Sequence, residues 1–125
     1  MALLKTAEIR NSSCLKTAEI PILQLVIYVY ENAVAQALAS SGNKLFYYTW
    51  LDENKHVYEV DFLLSRGTKL WPIEVKSAGY NTHRSLDEFC KKFSSRISNR
   101  YLVYTKDLRK DSETIMIPIY MAGLL

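Results

Sequence analysis

Three charged positions fall inside apolar patterns, and their types and spacing could do chemistry. In the segment Val57 to Ser65, which reads as a strand, Asp61 alternates against Val60, Phe62 and Leu64. In Lys69 to Lys76, a further strand, Glu74 and Lys76 share one face while Ile73 and Val75 share the other, because the side-chain period is two. If these strands are antiparallel neighbours, their polar faces coincide and give a carboxylate pair with a lysine beside it. Such a set offers oxygen ligands to a hard divalent cation. The plainer alternative is an ion pair on an edge strand.

A Glu-x-Lys tripeptide is weak by itself, with roughly 0.6 chance occurrences expected in a chain of this composition. Glu53-Asn54-Lys55 has the same spelling inside a polar turn, where solvent explains it. Glu74-Val75-Lys76 differs because its neighbours are apolar, so two charges there carry a burial cost. Glu31 is the third position. It lies at helical spacing from Ile27, Val34, Ala35 and Leu38, on or beside an apolar helix face. A snorkelling or first-turn glutamate is the alternative reading of it.

The elements that must position these residues follow from the hydrophobic pattern. Helical spacing from Leu23 ends at Ser40-Ser41-Gly42, giving a first helix. Leu45 to Leu51, Val57 to Ser65 and Lys69 to Lys76 form a three-stranded meander, with Pro72 tolerable near an edge or a bulge. Thr82 to Ser95 places Leu86, Phe89, Cys90 and Phe93 on one helical face. Asn99 to Thr105 and Thr114 to Tyr120 read as strands four and five, joined by a polar loop from Lys106 to Glu113. The expected order is α-β-β-β-α-β plus one late strand. Residues 1–22, which hold two copies of Leu-Lys-Thr-Ala-Glu-Ile, read as an irregular N-terminal segment before one domain at 23–125.

Composition agrees with a single folded domain. The chain has 125 residues, 49% of them hydrophobic, and a net charge of only +3, which excludes a charged disordered tail. Two cysteines, Cys14 and Cys90, are too few for a disulfide framework and read as reduced, in a cytoplasmic protein. His56 and His83 are too isolated for a zinc site. The longest apolar stretch, Ile20 to Tyr30, is interrupted by Pro21 and Gln24 and suggests no membrane span. Charges before it, and Glu31 after it, speak against a secretory signal.

Taken in order, Glu31, Asp61 and Ile73-Glu74-Val75-Lys76 resemble the PD-(D/E)XK nuclease superfamily, nearest its Holliday-junction-resolvase and restriction-endonuclease-like members. More narrowly, Glu31 to Gln36, Glu59 to Leu64 and Pro72 to Ser77 resemble the C-terminal domain that follows the ATPase module in a family of prokaryotic AAA-type ATPases, as does the ending Ile117-Pro118-Ile119-Tyr120. The resemblance covers about Tyr30 to Leu125. It implies an α/β (α+β) fold with a restriction-endonuclease-like core, a mixed central sheet flanked by helices. Val60 stands where the family usually has proline, and no phosphate-binding loop occurs, so this chain is not itself the ATPase.

What the resemblance implies is Mg²⁺- or Mn²⁺-dependent phosphodiester hydrolysis on DNA. Asp61, Glu74 and the Val75 carbonyl would be metal ligands, with Glu31 placing a metal-bound water or a second ion. Lys76 would orient or help deprotonate the attacking water. A late basic cluster that includes Arg84, Lys91, Lys92 and Arg96 could track a phosphate backbone, although a solvated helix face explains it too. Trp50 and Trp71 read as core. Expected partners are DNA, a second copy of the chain and an ATPase, with no membrane. The alternative function is a catalytically inactive nucleic-acid-binding or regulatory interaction module on the same fold.

Overall fold

The computed structural model describes residues 5–6 and 21–125. The fold is mixed α+β. In chain order its elements are β1 (Lys5–Thr6), α1 (Ile22–Ser40), β2 (Phe46–Leu51), β3 (Val57–Arg66), β4 (Lys69–Val75), α2 (Arg84–Lys92), a 3₁₀ turn (Ser94–Arg96), β5 (Arg100–Tyr104), β6 (Arg109–Asp111), β7 (Thr114–Pro118) and a closing 3₁₀ segment (Ile119–Leu124). Apart from β1, the expected irregular segment 1–22 falls almost entirely outside the described residues.

Local chemistry sets the element ends. Pro21 caps α1, and the helix stops at Ser41-Gly42, where Gly42 adopts φ +83°, a conformation that costs glycine little. The Ser41 hydroxyl donates to Ala37 O at 3.0 Å and to Gly123 O at 2.6 Å, which ties the closing segment to the end of α1. β3 and β4 are joined through Gly67, φ +64°. α2 carries Asp87 in its first turn and Lys91 and Lys92 in its last, each sign matched to the helix dipole. It is shorter than the span Thr82 to Ser95 that periodicity suggests, because the chain tightens into the 3₁₀ turn after Phe93.

The sheet has seven strands in the order β1-β2-β3-β4-β5-β7-β6. β1 to β4 are antiparallel neighbours, β4, β5 and β7 run parallel, and β6 pairs antiparallel with β7. The parallel β4–β5 step is the crossover that α2 makes possible. Two expectations are corrected here. The polar loop Lys106 to Glu113 contains β6, an exposed strand whose three charged residues hide the usual alternation. The last strand ends at Pro118 and not at Tyr120, since the chain turns into 3₁₀ at Ile119.

Pro72 lies in the middle of the sheet, buried and opposite Leu63, and not at an edge. The β5 ladder begins only at Ile73, so β4 locally lacks that neighbour where the proline has no N–H to give.

The two faces hold separate clusters. Val34 and Leu38 of α1 pack on Phe62, Leu64, Ile73, Val75, Tyr101, Val103 and Ile117. Phe89 of α2 packs on Tyr48, Val60 and Leu63. Each fully buried Leu, Ile or Phe contributes about 1.5–3 kcal/mol relative to exposure. Only the C-terminal half of α1 joins the core: Ile22, Leu23, Leu25 and Val29 stay exposed. As a 19-residue helix, α1 is long and apolar enough to cross a membrane by length and composition, which the interrupted run Ile20 to Tyr30 does not convey.

Candidate functional site

The register of β2 against β3 slips by one between Tyr48↔Val60 and Phe46↔Leu63. β3 therefore carries one extra residue in the stretch of Asp61 and Phe62, a β-bulge. Simple alternation would place Val60, Phe62 and Leu64 on one face. Instead Val60 joins Leu63 in the α2-side cluster, whereas Phe62 and Leu64 face α1. The expectation that Asp61 stands opposite all three is thereby corrected.

The bulge brings Asp61 to the end of the β3–β4 ladder, whose last pair is Phe62↔Ile73. Continuing that register by one step sets Asp61 opposite Glu74. There the Val75 backbone N–H donates to Asp61 Oδ2 at 2.7 Å. Glu74 and Lys76 lie on the face away from Ile73 and Val75, as strand alternation predicts. Lys76 Nζ sits 3.5 Å from Glu74 Oε1 and also donates to the Thr82 carbonyl, so the ammonium is held at the entrance of α2.

Electrostatics single out Asp61. Burial, opposed by the Val75 hydrogen bond but reinforced by the negative charges of Glu31, Glu74 and Glu59, raises its pKa from 3.8 to about 8. Burial also raises the Glu74 carboxyl, while Lys76, His83 and the Leu86 N–H pull it down. Glu74 Oε2 is buried without a hydrogen-bond partner. Two half-buried carboxyl groups thus adjoin one another, with Lys76 and His83 beside Glu74.

The expected site residues do not all converge equally. Asp61, Glu74, Val75 and Lys76 come together where β4 ends beside the middle of β3. Glu31, half-buried on α1, is near enough to act on Asp61 through its charge. Among the described residues, no group of three or more His, Cys, Asp or Glu side chains is arranged to hold a metal ion. The donor set that could receive one is therefore two carboxylates and the Val75 carbonyl, with water completing the shell. That fits Mg²⁺, which keeps several waters, and it matches the unpartnered Glu74 oxygen.

Of the basic residues, Arg84, Lys91 and Lys92 line a cleft of about 470 Å³ with Trp50, Asp52, Tyr58 and Glu88. Arg96 is exposed on the 3₁₀ turn, outside that lining. Arg100 is half-buried and pairs with Asp87 at 3.3 Å. The sequence reading missed Trp50 and Tyr58 as cleft residues. The available signal was Tyr48 and Trp50 at period two on one arm of the hairpin, facing Tyr58 on the other. Cys90 is half-buried, and burial pushes its thiol up, so it is a poor nucleophile. Cys14 lies outside the described residues.

Residues 28–122 match the family described as a domain of unknown function (DUF4143). The chain belongs to that family. Neither a curated protein nor a solved structure gives a significant match.

Proposed function

We propose that the chain is a divalent-metal-dependent phosphodiesterase of PD-(D/E)XK type acting on DNA. The observation that carries this reading is the pair Asp61 and Glu74: two half-buried, adjacent carboxyl groups, one with a strongly raised pKa and the other with an orphaned oxygen. A structural ion pair would match its charges, whereas here two acidic groups share one nearby lysine and Asp61 keeps its proton up to about pH 8. A bound Mg²⁺ would supply charge stabilisation for a pentavalent phosphorus and a more acidic water. Asp61 and Glu74 would hold the ion. Lys76, fixed by Glu74 and the Thr82 carbonyl, would orient the attacking water and offset phosphate charge. Glu31 would bias the site by its field.

Thermal unfolding with and without Mn²⁺ tests the reading. Millimolar Mn²⁺ is expected to raise Tm, about 2.7 kcal/mol of stabilisation arising at a hundredfold excess over Kd. Asp61→Asn should remove the rise. Lys76→Ala should keep it while abolishing cleavage of DNA, assayed on single strands as well as plasmid. A wild-type Tm indifferent to 10 mM Mn²⁺ would sink the proposal.

A second reading, a catalytically silent nucleic-acid-binding or regulatory module, is favoured by the absence of a three-carboxylate group among the described residues. Mn²⁺ binding without cleavage would select it. On either reading, the resemblance to a domain that follows an ATPase module makes an ATPase a partner to test.

A further inference from the structure

In the α2-side cleft, aromatic side chains continuous with the Tyr48–Phe89 cluster meet a cationic rim. Its wall is aromatic: Trp50 stacks on Tyr58 with ring centroids 5.1 Å apart and on Tyr48 at 5.4 Å. Tyr48 and Tyr58 are buried, while Trp50 is only half-buried and reaches the opening. The rim is cationic. The Arg84 guanidinium lies 5.5 Å from the Tyr58 centroid, and Lys92 Nζ lies 5.8 Å from that of Trp50.

The acidic residues in the lining are otherwise engaged. Asp52 accepts from the His56 backbone N–H at 2.8 Å and meets His56 Nδ1 at 2.9 Å, and Glu88 is paired with Lys91 at 2.9 Å. None of the ion pairs among the described residues includes Arg84 or Lys92. What remains is positive charge over a planar apolar wall, in a volume suited to a small organic ligand.

We infer that this cleft binds a nucleotide unit, its base against the Trp50–Tyr58 wall and its phosphate at Arg84 and Lys92. Stacking on aromatic side chains needs an unpaired base, because a base inside a duplex already has both π-faces covered. The inference deepens the nucleic-acid reading above by naming the form of substrate: a single strand or frayed end, and not an intact duplex. Arg84 opens α2, next to His83, which faces Glu74, so the cleft adjoins the carboxylates along the first turn of that helix.

Binding is measurable without metal, which separates this inference from the nuclease reading. In EDTA at 50 mM salt, the full chain carrying Trp71→Phe leaves Trp50 as its one tryptophan. Oligo-dT of ten nucleotides is expected to quench that fluorescence and to bind at least tenfold tighter than a duplex of the same length. Arg84→Ala with Lys92→Ala, two exposed positions, should weaken binding by tenfold or more with Tm nearly unchanged. Thymidine monophosphate distinguishes the source: equal affinity per site assigns a free nucleotide, and much weaker binding assigns a strand. Duplex bound as tightly as oligo-dT overturns the inference. So does oligo-dT binding, followed by anisotropy, that leaves Trp50 unquenched or survives the double substitution. Loss of Mn²⁺ stabilisation with quenching retained would sink the nuclease reading alone.

Discussion

On the α1 side of the sheet, eleven buried residues from four sheet strands, α1, the Leu45 approach to β2 and the closing segment form one continuous cluster. On the α2 side, apolar burial is divided between a group around Phe89 and another around Leu102, Tyr104 and Met116. Aromatic rings with cations over them occupy much of the first group's margin. The ionisable groups are divided in a related way. Glu74, Lys76 and His83 gather on the α2 side, and Asp61 sits at the bulge, where the charges of Glu31 and Glu74 both reach it. One face therefore supplies cohesion. The other keeps charge and open volume together, an arrangement a packed core excludes because an unpaired charge in it is costly.

The contrast breaks most visibly through pH. Asp61 has a folded pKa near 8 against an ordinary 3.8, so below about pH 4 both folded and unfolded states hold the proton and nothing is lost. Between about 4 and 8 the unfolded chain releases a proton that the folded chain keeps, and stability falls across that window, by on the order of 6 kcal/mol at most. Denaturant melts from pH 4 to 8 should show this slope. Asp61→Asn should flatten it, and a variant that retains the full slope would assign it to another group.

Truncation on the cohesive face comes next in size. Leu64→Ala, at a fully buried position facing α1, should cost about 2–5 kcal/mol in urea unfolding. Within α1 the same comparison applies at shorter range. Leu38→Ala should cost a similar amount, while Leu25→Ala, at a site half exposed, should stay within about 0.5 kcal/mol. Equal costs at Leu25 and Leu38 would mean that the exposed half of α1 is covered in solution.

A smaller effect is expected at the C-terminal tie. Ser41→Ala removes the hydroxyl bonds to Ala37 and Gly123 and should lower stability by about 1 kcal/mol. The smallest is on the open face: Lys92→Ala should leave Tm within experimental error yet reduce the salt dependence of nucleic-acid binding by about one unit in the logarithmic slope. An unchanged slope would remove Lys92 from the phosphate contacts.

Much of this architecture is legible in the residues themselves. Both helices, the β2–β4 meander and the alternation of Ile73, Glu74, Val75 and Lys76 follow from periodicity, because a side chain's direction in a regular element is fixed by its position. That Asp61 lies close to Glu74 and Val75 follows from the hairpin order of their strands. β6 was not, since Arg109-Lys110-Asp111 carries no apolar face and exists as a strand only because β7 offers it a partner.

Three further features belong to the tertiary structure alone. The bulge at Asp61–Phe62 arises from how β2 and β4 each fix the register of β3, and no single-strand pattern reports a conflict between two neighbours. The raised pKa of Asp61 depends on burial beneath distant elements and on Glu31, thirty residues away in the chain. The cleft requires α2 to lie across the hairpin so that Arg84 and Lys92 meet Tyr58 and Trp50. Sequence alone determined which side chains each element could present. Long-range packing decided which of them meet, because desolvation and charge coupling act through space and have no period along the chain.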